Sequence, residues 1–152
     1  MAGLALVAQT EAVATTTAKK TVLQITAPAN QRLLVREISV SFAGIVNTDA
    51  PILVQVLPQS TAGTGGDALT PQKEYAGDDE TPQSTILKDI DTGEPTGVAT
   101  GSLLTEYVHP QTGFTWQAPN GKAIVVKGGT ALGIAVTAGV SVNCVSRIRY
   151  EE

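Results

Sequence analysis

The 152-residue chain predicts an all-β fold. Two observations carry that expectation: apolar residues recur with a period of two along many short runs, and Gly or Pro clusters break the runs before a helical period builds up. The last third is the clearest case. Ala123 to Lys127, Ala131 to Thr137 and Val140 to Tyr150 are separated by Lys-Gly-Gly and Ala-Gly, which reads as an antiparallel meander with one buried face. Within it Leu132, Ile134 and Val136 alternate with Ala131, Gly133 and Ala135. Val140, Val142, Cys144 and Ile148 alternate with Ser141, Asn143, Arg147 and Arg149.

From the front, residues 1–20 are rich in Ala and Thr and read as an extended N-terminal arm or an added edge strand. Thr21 to Thr26 is a short strand stopped by Ala-Pro-Ala-Asn. Leu33 to Phe42 alternates with Leu34, Ile38, Val40 and Phe42 on one side and Glu37, Ser39 and Ser41 on the other. Asn47 to Pro51 is a turn cluster, and Ile52 to Leu57 alternates around Gln55 until Pro58 closes it. From Gln59 to Gln83 the chain collects Gly63, Gly65, Gly66, Pro71, Gly77 and Pro82 and the acidic patch Asp78, Asp79 and Glu80. A segment of that length without its own pattern is expected to make contacts. Ser84 to Lys88 returns as a strand, Asp89 to Gly101 is a second polar loop, Leu103 to His109 is a strand, and Phe114 to Trp116 adds a short edge.

Counted from Thr21 there are eight runs: 21–26, 33–42, 51–57, 84–88, 103–109, 123–127, 131–138 and 140–150. The expectation is therefore an eight-stranded antiparallel jelly-roll sandwich, one domain over 21–152, with an extended N-terminal arm over 1–20. A seven-stranded immunoglobulin sandwich fits less well, because its Cys-Trp-Cys spacing is missing. Ile38, Val40, Phe42, Val54, Ile134, Val136, Val142 and Ile148 are the expected core.

Composition excludes several functions. Charged residues are 16% and aromatics 4% of the chain, so the exterior is largely Thr, Ser, Gln and small apolar side chains, a surface suited to lasting contact with protein, copies of itself included. Net charge is −4 with no basic run longer than Lys19-Lys20, so no nucleic-acid partner is expected. One cysteine and one histidine supply neither a disulfide nor a structural zinc site, and Cys144 reads as a buried small hydrophobe. The opening apolar stretch lacks the basic flank of a secretory signal and is interrupted by Gln9, Thr10 and Glu11. No stretch reads as a membrane span, and an intracellular product is expected.

The chemical motifs are weak. Gly63, Gly65 and Ala68 satisfy a dinucleotide-binding pattern on paper, but Leu69-Thr70-Pro71 breaks the helix it requires. Asp89, Asp91, Gly93 and Glu94 begin like a calcium loop, yet Gly93 stands at the fifth position and Thr100 where the closing glutamate belongs. Ser102 and His109 have no nucleophile elbow between them. No enzyme activity, cofactor or metal is expected. Trp116, beside Phe114, is either a core plug or an interface anchor.

The run TEYVHPQTGFTWQAPNGKAIVVKGGTALGIAVTAGVSVNCVSRIRYEE (residues 105–152), with TAPANQRLLVREISVSF and TAGTGGDALTP, resembles jelly-roll structural proteins of tailed bacteriophages, capsid decoration or cement proteins above all. The likeness spans about Lys19 to Glu152 and consists of strand texture and loop placement. It implies a virion protein, made in the host cytoplasm. Such a protein binds the outer surface of an icosahedral shell through the major capsid protein, braces neighbouring capsomers, and self-associates as a homotrimer. No catalytic residues come with the resemblance. A glycan- or receptor-binding jelly-roll module of a virion or secreted complex is the alternative, weakened by the scarcity of aromatics. The partner contacts are expected on the arm (Leu4, Leu6, Val7, Thr10), on the long excursion (Thr64, Asp67, Leu69, Tyr75) and at Trp116.

Overall fold

A computed structural model describes residues 3–43, 50–97 and 101–152, and over them the chain is all-β, with thirteen strands and a single 3-10 turn at Pro119–Gly121. The strands are β1 (Ala5–Gln9), β2 (Val13–Ala14), β3 (Lys20–Thr26), β4 (Leu33–Phe42), β5 (Ile52–Gln59), β6 (Asp67–Leu69), β7 (Gln72–Lys73), β8 (Thr85–Lys88), β9 (Leu104–Val108), β10 (Phe114–Gln117), β11 (Ile124–Val126), β12 (Ala131–Thr137) and β13 (Asn143–Glu151). Each of the eight expected runs contains a strand, the short edge expected at Phe114 to Trp116 is β10, and β1 and β2 fall in the segment read as an arm or an added edge strand; β6 and β7 are additional. Part of the Asn47 to Pro51 cluster, Asn47–Asp49, and Thr100 lie outside the described residues.

The strands form two antiparallel sheets packed as a sandwich. One has the order β10-β4-β13-β1-β7, with β11 also on β4 and β2 on β13; the other is β6-β8-β3-β12-β5-β9. The final meander expected from sequence does not form. β11 pairs with β4, β12 with β3 and β5, and β13 with β4 and β1, so consecutive strands cross between sheets. Alternation fixes which side of a strand is apolar; it does not name the strand's neighbour. The pairing is instead nested, first with last: β1 with β13, β3 with β12, β4 with β10 and β5 with β9.

The N-terminal segment is not a free arm. β1 lies inside its sheet between β13 and β7, in register from Ala5 opposite Glu151 to Gln9 opposite Arg147. Thr10 continues the seam: its N–H donates to the Ser146 carbonyl at 2.9 Å, and its Oγ1 accepts from the Ser146 N–H at 3.0 Å. Thr15 makes the same exchange with Val142. Leu4, Leu6, Ala8 and Val13 enter the core. The physical reason is alternation in the Leu4-Ala5-Leu6-Val7-Ala8 run, which places Leu4, Leu6 and Ala8 on one side.

The core sits between the sheets. Six of the eight expected core residues (Ile38, Val40, Val54, Ile134, Val136 and Ile148) are buried, and Phe42 and Val142 pack half-buried at its margin. Val140 instead stands exposed before β13 begins. Along β4 the inward set is Leu33, Val35, Ile38 and Val40, not Leu34. The cause is a bulge: Arg149 faces Glu37 and Tyr150 faces Val35, so Arg36 is the extra residue and the alternation changes phase there. A second bulge in β3 skips Val22, between Leu23 opposite Ile134 and Thr21 opposite Ala135. β5 also runs through Pro58 rather than ending before it. Pro58 lies beyond the last residue paired to β9, so its missing N–H faces no ladder partner on that side.

Cys144 is buried as expected, and burial pushes its thiol from an ordinary value of 9.0 up to about 11. Tyr150 is the largest fully buried side chain; its hydroxyl meets Ser84 Oγ at 2.7 Å, and burial raises its pKa as well.

Candidate interaction surface

Three parts of the exterior have enough structure to carry a function, beginning with the long excursion. Its first half folds back over the outer face of the second sheet and is held there by buried polar groups. The Thr21 N–H and hydroxyl donate to the two carboxylate oxygens of Glu94 at 2.8 and 2.6 Å. Gln24 Nε2 donates to Gln59 Oε1 at 2.6 Å and to the Thr61 carbonyl at 3.1 Å, and Gln24 Oε1 accepts from the Gly63 N–H at 3.2 Å. Gln59 Nε2 reaches Thr21 Oγ1 at 3.3 Å. Every buried amide here has a partner, so the cluster fixes the loops without cost from unmet polar groups. Gly133 is required because the Gln59 side chain lies where its Cβ would be. Ile90, fully buried, clips the 60s segment from the other side: a Cβ on Gly66 would come within 3.0 Å of its Cγ1, and one on Gly63 would overlap its side chain.

The second half of the excursion joins the two sheets. β6 extends one sheet through β8, and two residues later β7 extends the other through β1. The C-terminal Glu152 side chain accepts the backbone N–H groups of Gln83 and Ser84, anchoring the far end.

The outer face of the first sheet is a charge lattice. Arg147 donates to Glu37 at 2.7 Å, and Arg149 lies 3.7 Å from Glu37 and 2.9 Å from Glu74. Arg36 pairs with Glu151 at 2.9 Å. A depression of about 260 Å³ is lined by Arg36, Glu37, Glu74, Arg149 and Glu151 with Ala5 and Gln117. Three arginines face three glutamates, so the face attracts neither sign of ligand strongly, and partly exposed pairs of this kind add little stability each.

The third part is apolar. Tyr107 is 72% and Leu103 50% exposed, on or beside β9, the last strand of its sheet. Tyr107 stands opposite Leu53, which is half-buried. Tyr75, Val125 and Val140 are the other large exposed apolar side chains among the described residues.

The expected contact residues divide accordingly. Leu4, Leu6 and Thr10 are corrected: all three are buried and hold the sandwich together. Val7 is half-buried on the outer side of β1. Thr64 and Asp67 are exposed, and Leu69 packs against the core margin. Tyr75 remains exposed, and a depression of about 300 Å³ brings it together with Gly3, Leu4 and the acidic Asp78, Asp79 and Glu80. Trp116, opposite Ile38, packs half-buried against the core with Phe114. The Leu103 and Tyr107 stripe was missed, although Leu103, Thr105 and Tyr107 alternate visibly with Leu104, Glu106 and Val108.

The weak chemical motifs are spent locally. The Ser102 hydroxyl bonds to Thr105, and His109 Nδ1 accepts the Gln111 N–H at 3.2 Å while its carbonyl takes Thr112. Asp89 pairs with Lys20, and Glu94 is committed to Thr21. Among the described residues no helix is long and apolar enough to cross a membrane, and no group of His, Cys, Asp and Glu is placed to hold a metal ion. Comparison of the chain with models of protein families, with curated proteins and with solved structures gave no match.

Proposed function

We propose that this chain is a structural binding protein with a jelly-roll fold that decorates the outer surface of a tailed-phage capsid, contacting the major capsid protein and bracing neighbouring capsomers. The fold reading is supported by the nested pairing. With β2, β6, β7, β8 and β11 left aside, the eight strands β1, β3, β4, β5, β9, β10, β12 and β13 form one long hairpin rolled into two four-stranded sheets. The roll then begins with β1, inside the segment read from sequence as an extended arm or an added edge strand.

The observation that carries the binding function is the contrast between a thoroughly stitched framework and a few large apolar side chains left outside it. The 60s and 90s segments and the N-terminal segment are hydrogen-bonded into the sandwich, while Tyr75, Leu103, Tyr107, Val125 and Val140 stand 50–72% exposed. A rigid platform presenting isolated aromatic and aliphatic anchors loses little entropy on docking, which suits a protein that reinforces a lattice. Co-sedimentation of the purified protein with shells of the cognate major capsid protein tests the reading. Saturable binding, weakened by Tyr75→Ala, is expected; protein left wholly in the supernatant refutes it.

A further inference from the structure

We infer that the free edge of β9 is a self-association site at which two copies join their second sheets antiparallel across a two-fold axis centred on Thr105. The inference stands on the edge itself and on no part of the capsid reading.

Four sheet edges are available among the described residues, and three are blunted in the ways that discourage strand addition. β6 has three residues and starts at Asp67, β7 has two and ends at Lys73, and the β10–β11 edge is broken by Pro119 and its 3-10 turn. β9 has five residues, a single charge at Glu106, no Lys or Pro within it, and one paired side, to β5; it is the longest strand at the four edges.

Its residues are also self-complementary. On the outward side the order is Leu103, Thr105, Tyr107, with Thr105 opposite Gln55 and Tyr107 opposite Leu53 on the next strand. The surface therefore repeats apolar, polar, apolar about Thr105. A second copy running antiparallel with Thr105 as the centre sets Tyr107 against the other copy's Leu103 on both sides of a Thr–Thr pair, two favourable kinds of cross-strand neighbour. The other face fixes the register. Glu106 then lies opposite Leu104 of the second copy, whereas centring on Glu106 would bring two carboxylates face to face. An isologous strand pair closes at two copies. The β9 edge thus favours a dimer over the three-fold assembly that the resemblance implies.

Light scattering and site-directed crosslinking test this on the full chain. At concentrations on the order of 100 μM, where a small interface is populated, the wild type is expected at twice the monomer mass. Tyr107→Lys, an exposed change that leaves the core untouched, is expected to return it to monomer with an unaltered melting curve. Under mild oxidation Thr105→Cys is expected to give a covalent dimer, because residues facing each other across the axis lie within disulfide reach. Tyr107→Cys alone is expected not to. A wild-type monomer, a trimer that Tyr107→Lys leaves unchanged, or a Thr105→Cys protein that crosslinks no better than Tyr107→Cys overturns the inference. Cys144 does not confuse the readout, since it is buried.

Discussion

Replacing Leu6 with Ala tests whether the N-terminal segment is core or arm. Leu6 is fully buried, on a strand paired to β13 along its length and to β7 at Leu6 and Val7, and stands opposite Tyr150 and Lys73. Truncating a buried Leu to Ala costs the transfer energy of the lost methyl groups and leaves a cavity, together about 3 kcal/mol. For a chain of this size each kcal/mol lowers Tm by roughly 2–4 °C, so the variant is expected to melt roughly 6–12 °C below the wild type. Val7→Ala, one residue along on the outer side, is the control and is expected to move Tm by less than half as much. Scanning calorimetry on the pair decides. If Leu6→Ala and wild type melt together, β1 contributes nothing to the core, and its pairing with β13 does not hold in solution.

Further outcomes follow from the polar cluster and the buried thiol. Gly133→Ala is expected to destabilise by about 1–3 kcal/mol, because the new methyl group displaces Gln59 from Gln24; denaturant unfolding checks this, and Gln59→Ala in the same chain is expected to relieve part of it. Glu94→Ala removes both acceptors from Thr21 and is expected to speed amide exchange at Thr21 and Ile90 well before global unfolding, read by hydrogen-exchange NMR. Stability is expected to fall as pH rises from about 9 toward 11. The unfolded chain ionises Cys144 in that window while the folded chain keeps it neutral, and Tyr150 acts in the same sense. A Cys144→Ala protein followed by thermal melts is expected to show a shallower decline.

Much of the fold was legible because strands with one apolar side advertise themselves. Leu132, Ile134 and Val136, or Cys144 and Ile148, needed only their alternation. Partners were not legible, since nested pairing joins β1 to β13 across the whole chain, and no local pattern encodes so distant a neighbour. The bulges at Val22 and Arg36 have the same character: each resets the phase midway along a strand without a Gly or Pro to announce it. In β1 the alternation was diluted because Ala5 and Val7, on the outer side, are apolar too. The loops were the hardest part. Gln24 and Gln59 look like surface residues until their mutual bonding is seen. Ile90, a lone apolar residue between two aspartates, was the one signal that the acidic loop folds back.

The most direct test of the account is cryo-electron microscopy of cognate capsid shells incubated with the purified protein. Discrete density of sandwich size is expected on the outer surface at symmetry-related positions between capsomers. Shells that bear no added density, with saturating protein present, would contradict it.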